Sequence, residues 1–232
     1  MVVVGVNGCP GGWLAAALHS SLRDLSYRVH SSFSDLLIHY SDASCIAIDI
    51  PIGLAENAPK LCDIEARRVL GVRRSSVFPA PDARLVETKD YMEASAQSRS
   101  LLAKGISRQA FAIYAKVAEV NRGMTRDLQD RVIEVHPEVS FWAMNGERPM
   151  LNHKSKLEGF DERHVLLSAH LPGVRIPDRK EARMLARPAS PDDVLDATVA
   201  TWTARRFVEG RSERLPPEPL TDGRGLRMEI NY

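Results

Sequence analysis

Cysteine is scarce in this chain. Cys9, Cys45 and Cys62 are the three among 232 residues, no two of them form a CxxC pair, and an odd number leaves one over in any disulfide scheme. That argues against a disulfide-framed fold and a thiolate zinc site, and fits a reduced, cytoplasmic protein. An excess charge of one sign is missing too. With 31 Lys and Arg against 30 Asp and Glu, no global field draws the chain onto DNA, RNA or an anionic membrane, so any polyanion contact has to come from local patches. No run approaches the roughly 20 apolar residues of a membrane span, and the first residues lack the basic region and apolar stretch of an export signal. We therefore expect no membrane partner and no export. Internal repeats and low-complexity segments are also absent, and the length suits one sizeable core, so 1–232 is read as a single domain.

What is present begins with β-branched residues. Val2, Val3, Val4 and Val6 suit a buried strand, Trp13 to His19 is apolar again, and Leu25 to His30 alternates apolar and polar, which together predict a three-stranded meander. Phe33, Leu36 and Leu37 at helical spacing predict a short helix, and Cys45 to Ile50 a buried strand stopped by Pro51. The order is β-β-β-α-β. Helices are expected from Asp63 to Leu70 with Gly71 as C-cap, from Gln109 to Arg122, and from Lys154 to His170, with a strand from Arg131 to His136. A last helix starts at Ser190-Pro191-Asp-Asp, with Ser as N-cap, Pro at the first helical position and acids in the first turn, and stops at Gly210.

The stretch NGCPGGW, Asn7 to Trp13, separates two chemistries. A dinucleotide or phosphate cradle needs its glycine turn to feed directly into a helix. Here an apolar, strand-like run follows, the spacing is GxxG, and no GK[ST] appears, so the stretch is read as a β-hairpin connection with Asn7 at the end of the first strand.

Polar groups end three apolar strands: Asn7 after Val2 to Val6, Asp49 after Ile46 to Ile48, and Glu134 with His136 after Val132 and Ile133. A single such residue usually terminates a strand; three can converge at one end of a sheet, where α/β folds commonly carry their sites. Asp193 and Asp196 add two acids on one face of the last helix, beside the small residues Ala197, Ala200 and Ala204 that allow close approach to a sheet. First-turn dipole placement explains Asp193 well and Asp196 poorly. Such a carboxylate cluster repels itself unless it holds hard cations, Mg²⁺ or Mn²⁺, as in two-metal phosphoryl transfer.

The motifs GVNGCPGGW, IDIPIGL, CDIEARRVLG, RRSSVFPAP, EVHPEVSF, KLEG and DDVLDA, in this order, resemble the domain of unknown function 429 family, regarded as predicted nucleases. The resemblance implies a ribonuclease-H-like fold: a five-stranded mixed sheet in order 3-2-1-4-5, helices on both faces, and an insertion at about 55–128. It also implies metal ligation by Asn7, Asp49, Asp193 and Asp196, with Glu134 as a further catalytic acid and Arg73, Ser75, Ser76 and His136 toward a nucleic-acid or nucleotide substrate. The family's first motif usually reads GVDG. Asn7 keeps a carbonyl oxygen but loses the negative charge, a change that would impair a nuclease.

Two other functions fit the same opening. An actin-like ATPase or small-molecule kinase shares the three-stranded start, but would carry a second glycine-rich phosphate loop where this chain has EVHPEVSF. A nucleic-acid-binding protein that retains the fold without catalysis would follow from loss of the metal site at Asn7.

Overall fold

Val2–Cys9 (β1), Gly12–His19 (β2) and Leu25–His30 (β3) form the antiparallel meander in the computed structural model, which describes residues 1–19 and 24–232. The turn between β1 and β2 requires glycine. Gly12 has φ +138, and a Cβ there would meet the His30 carbonyl oxygen at 1.9 Å. NGCPGGW is thus a hairpin.

Phe33–His39 (α1), whose N-cap Ser32 accepts from the Asp35 amide at 3.1 Å, leads to Cys45–Asp49 (β4), parallel to β1. Val132–Glu134 (β5) runs parallel to β4, giving the order β3-β2-β1-β4-β5 in an α/β fold. Between β4 and β5 lie Leu61–Leu70 (α2), a 3-10 turn Gly71–Ser76, Tyr91–Leu102 (α3), Arg108–Ala112 (α4) and Tyr114–Gly123 (α5). After β5 come Pro137–Met144 (α6), Leu157–His170 (α7), Arg179–Leu185 (α8) and Pro191–Val208 (α9). A two-stranded hairpin, Arg214–Thr221 (β6) with Arg227–Asn231 (β7), ends the chain.

Several boundaries differ from expectation. Gly71 caps α2 as expected and also opens the 3-10 turn, the expected 109–122 helix is divided between α4 and α5, and α7 begins at Leu157. The elements α3, α6, α8, β6 and β7 were not anticipated. β6 carries Pro216, Pro217 and Pro219, which argue against a strand except at an edge, and in its two-stranded sheet every strand is an edge.

Strand periodicity sorts the core into two layers. Val3, Cys9, Leu14, Ala16, Cys45, Ala47 and Ile133 face one side, with α6, α7 and α9 residues; Val4, Val6, Trp13, Ala15, Ile46, Ile48 and Val132 face the other, with α1 and α5 residues. Helix α9 lies directly on β1 because Gly5 has no side chain: a Cβ would fall 2.0 Å from the Ala197 carbonyl oxygen and 2.2 Å from the Thr201 amide nitrogen. The contact is fastened by hydrogen bonds. Gly5 N–H donates to Thr201 Oγ1 at 3.1 Å, and that hydroxyl donates to the Ala16 carbonyl at 2.8 Å.

Candidate functional site

The close seat of α9 on β1 sets the site. Asn7 has the parity of Val3 and Gly5, and Asp49 that of Cys45 and Ala47, so both strand ends face α9. They are direct partners in the parallel register, and the first turns of α9 reach them. Asn7 Nδ2 donates to Asp193 Oδ1 at 2.9 Å. Asp193 Oδ2 closes the helix's capping box, accepting from the Ser190 amide at 2.7 Å and its hydroxyl at 2.9 Å. Both Asp193 oxygens are therefore committed. Its position in the first turn also complements the helix dipole, as sequence reasoning allowed.

Asp196, one turn further in, is 1% exposed. Its Oδ2 accepts from Lys154 Nζ, while its Oδ1 is buried without a hydrogen-bond partner. Asp49 is partly buried, and among the described residues no protein group donates to its carboxylate. Burial first, then the nearby Asp196 charge, push its pKa up to about 8, against the opposing pull of Lys154. A carboxyl kept protonated near neutrality by burial and by a neighbouring carboxylate is a candidate functional group.

Lys154 reaches this point from the loop before α7, which is well anchored. Glu162 accepts from the Leu151 and Asn152 amides at 2.8 and 2.9 Å. Arg163, fully buried, donates to the Asn152 and Gly159 carbonyls at 3.2 and 2.9 Å and pairs with Glu138 at 2.5 Å. Burial alone would lower the Lys154 pKa; Asp196 and Asp49 outweigh it and hold the ammonium charged.

Glu134 goes elsewhere. Its parity is that of Val132, so it faces the layer opposite α9. There it accepts from Lys60 Nζ and from the Ile52 amide, both at 2.6 Å. Lys60 is 2% exposed, and burial opposes its charge, but Glu134, Cys62 and Asp63 raise its pKa overall. Cys62, Asp63 and Glu134 offer three ligand atoms all within 4.8 Å of one another, a possible metal-binding group. Lys60 already supplies the cation there, and Asp63 Oδ2 also accepts from the Ala80 amide at 2.9 Å. Asp49, Asp193 and Asp196 are not so compact a set. Asn7 bonds Asp193 and Lys154 bonds Asp196, so each restrains one of the two helix carboxylates.

A cleft of about 560 Å³ opens over these groups. Asp49, Glu134, His136 and Lys154 line it, together with Arg73, Ser75 and Ser76 from the 3-10 turn; Asn7, Asp193 and Asp196 are not among its lining, and Asp196 meets it through its bond to Lys154. Arg73 is partly occupied, its Nε donating to the Met150 carbonyl at 2.9 Å. His136 Nε2 contacts the Ser76 carbonyl at 3.4 Å, which makes Nε2 the protonated nitrogen and leaves Nδ1, buried and unpartnered, with a free lone pair. Burial lowers the His136 pKa against the pull of Glu138, so the ring is neutral at pH 7.

A family model described as "Protein of unknown function (DUF429)" matches residues 5–221. The chain belongs to this family. No curated protein and no solved structure matches the chain. The match runs from Gly5, where α9 docks, to the end of β6, and so spans every residue of the acidic site and its cleft. Sequence reasoning missed Lys60 and Lys154 as partners of the acids. KLEG and CDIEARRVLG flanked them, but nothing in linear spacing pairs a lysine with a carboxylate 42 or 74 residues away. No helix among the described residues is long and apolar enough to cross a membrane.

Proposed function

We propose that this chain is a metal-dependent phosphodiester hydrolase, a nuclease taking nucleic acid or nucleotide into the cleft above Asp49. The observation that carries this reading is that Asp49, which has no donor among the described residues, feels the charge of Asp196, whose buried Oδ1 has no partner among them either. The order β3-β2-β1-β4-β5, with acids at a strand end and on the long helix beside β1, supports a ribonuclease-H-like reading of the fold. The donor set suits a hard divalent cation, Mg²⁺ or Mn²⁺, because Asp49, Asp196 and the Asn7 carbonyl all offer oxygen. When bound, such an ion neutralises the carboxylates, polarises a phosphoryl oxygen and lowers the pKa of a coordinated water.

This chain's own groups supply the rest. Asp49 and Asp196 hold the charge; Asn7 and Asp193 fix the start of α9 against the strand ends. Arg73 and Lys154 bring positive charge to a phosphate in the cleft, with the Ser75 hydroxyl as a donor, while the Ser76 hydroxyl donates to the Arg73 carbonyl at 2.8 Å and holds the turn. His136 Nδ1, neutral and unpartnered, accepts a proton from an attacking water. A cleft of about 560 Å³ has the size of a small-ligand pocket, which favours a nucleotide or a single-stranded end over a duplex. The free, buried cysteines Cys9, Cys45 and Cys62 are in keeping with a cytoplasmic setting.

The test is cleavage of labelled single- and double-stranded DNA, RNA and hybrid with Mg²⁺ or Mn²⁺, the chain against Asp49→Asn and Asp196→Asn. Metal-dependent cleavage that falls at least 100-fold in both variants is expected. Absence of cleavage of all four, with an ATP-dependent rise in melting temperature, would replace this reading with the ATPase or kinase one.

A further inference from the structure

The donor inventory at the acidic site is too small for two cations. Two hexacoordinate ions sharing a site need several bridging and terminal oxygens, and most of the candidates are already engaged. Asp193 gives Oδ1 to Asn7 and Oδ2 to Ser190. Asp196 gives Oδ2 to Lys154. What is left is the Asp49 carboxylate, Asp196 Oδ1 and the Asn7 carbonyl oxygen, a set for one ion with water completing its shell.

The charges lead to the same count. Glu134 and Glu138 have their own buried partners in Lys60 and Arg163, and Asp192 lies in the field of both Lys154 and Arg179. Asp193 and Asp196, and Asp49 once a bound ion displaces its proton, then carry three negative charges against the ammonium of Lys154. One divalent cation closes that balance, whereas two leave an excess that the single charge of a phosphodiester does not cancel. Asn7 offers one neutral carbonyl oxygen in place of a carboxylate, and its amide nitrogen is already bonded to Asp193.

Lys154 is also suitably exposed. Its side chain is 37% accessible while its partner Asp196 is at 2%, so the ammonium stands between the buried carboxylate and the open cleft. We infer that Lys154 takes the part of the second metal ion: the site binds one divalent cation through Asp49, Asp196 and Asn7, and the Lys154 ammonium provides the other positive charge to the phosphate. This rests on the metal-dependent reading above and specifies it. Lys154 is held for that purpose by the Glu138–Arg163 pair and the Glu162 contacts that fix its loop.

The test is calorimetric titration of the full chain with Mn²⁺, with bound ion counted independently by electron paramagnetic resonance, for the chain itself, Lys154→Arg and Lys154→Met. One ion per chain is expected for the first two. Lys154→Met frees Asp196 Oδ2 and adds a net negative charge, so it is expected to bind Mn²⁺ at least tenfold more tightly or to take a second ion. Melting in chelator identifies any variant that fails to fold, and the count on the unaltered chain stands without the variants. Two ions bound by the unaltered chain would overturn the inference while keeping the metal-dependent reading, as would an unchanged affinity and count in a folded Lys154→Met. No ion bound by any form would overturn both.

Discussion

Asp49→Asn should stabilise the metal-free protein, and more so at high pH. The Asp49 carboxyl, lifted by burial and by Asp196 from 3.8 to about 8, keeps its proton in the folded chain over a range in which the unfolded chain has lost it. The folded state therefore binds more protons across that window, and stability falls as pH rises through it. At about 1.4 kcal/mol per unit, the cost at pH 7 reaches at most on the order of 4 kcal/mol. Asp49 faces the cleft, and solvent screening there reduces the realised figure to about 2 kcal/mol. Asparagine has the same shape and no charge. For a chain of this length, about 2–4 °C per kcal/mol converts this into a gain of about 4–8 °C at pH 7 in chelator, larger at pH 8 and shrinking toward zero near pH 4. Saturating Mn²⁺ should invert the order, because ion held at 100 times its Kd adds about 2.7 kcal/mol to the form that binds it. The assay is thermal melting of both proteins from pH 4 to 8.5, with chelator and with Mn²⁺. An Asp49→Asn protein that melts below the unaltered chain at pH 8 in chelator, or keeps the same pH slope, would refute the electrostatic account.

Gly5→Ala should cost more than about 3 kcal/mol by urea unfolding, since its Cβ has only the α9 backbone at 2.0 Å to enter, and should also weaken Mn²⁺ binding by displacing Asp196. Lys60→Met strands the buried Glu134 and should cost about 3–5 kcal/mol at pH 8; adding Glu134→Gln should restore most of it, and an unrestored double variant would contradict the ion-pair role. Asn7→Asp replaces a donor to Asp193 with a like charge, so stability in chelator, read by urea unfolding, should fall by about 1–3 kcal/mol while Mn²⁺ affinity rises; equal affinity would argue against Asn7 as a ligand.

The sheet was legible because its signals are local. Valine runs, an apolar return after NGCPGGW and the alternation in Leu25 to His30 each imply a strand without reference to the rest of the chain, and three in succession leave little choice but a meander. The elements that escaped notice lack such signals. Helix α3 buries only small residues, Ala94, Ser95 and Ser98, and so shows no apolar stripe; α6 is apolar on almost every side and buried as a result, and β6 carries three prolines, which disfavour strands. Their conformations are imposed by tertiary packing, which overrides weak local preference.

At the site, parity was available in the sequence and decides more than proximity does. Counting by twos from Val3 to Asn7 and from Cys45 to Asp49 aims both side chains at the face that α9 covers, and the same count from Val132 sends Glu134 to the other face. Strand-end position alone grouped Glu134 with the α9 acids. The lysines follow a different logic. A buried carboxylate needs a counter-charge, but which of 31 basic residues supplies it depends on loops folded over the sheet, as the segment before α7 is by Arg163 and Glu162. Lys60 and Lys154 are matched to their carboxylates by depth: Lys60 and Glu134 are both sealed, and neither ion is free to change partners without exposing the other. Lys154 is open to the cleft on one side and bonded to Asp196 on the other, so it can exchange part of its interaction for a phosphate or a cation without burying an unpaired charge. Two similar pairs on opposite faces of β4 and β5 therefore differ in kind, one fixing the insertion against the sheet and the other available to chemistry.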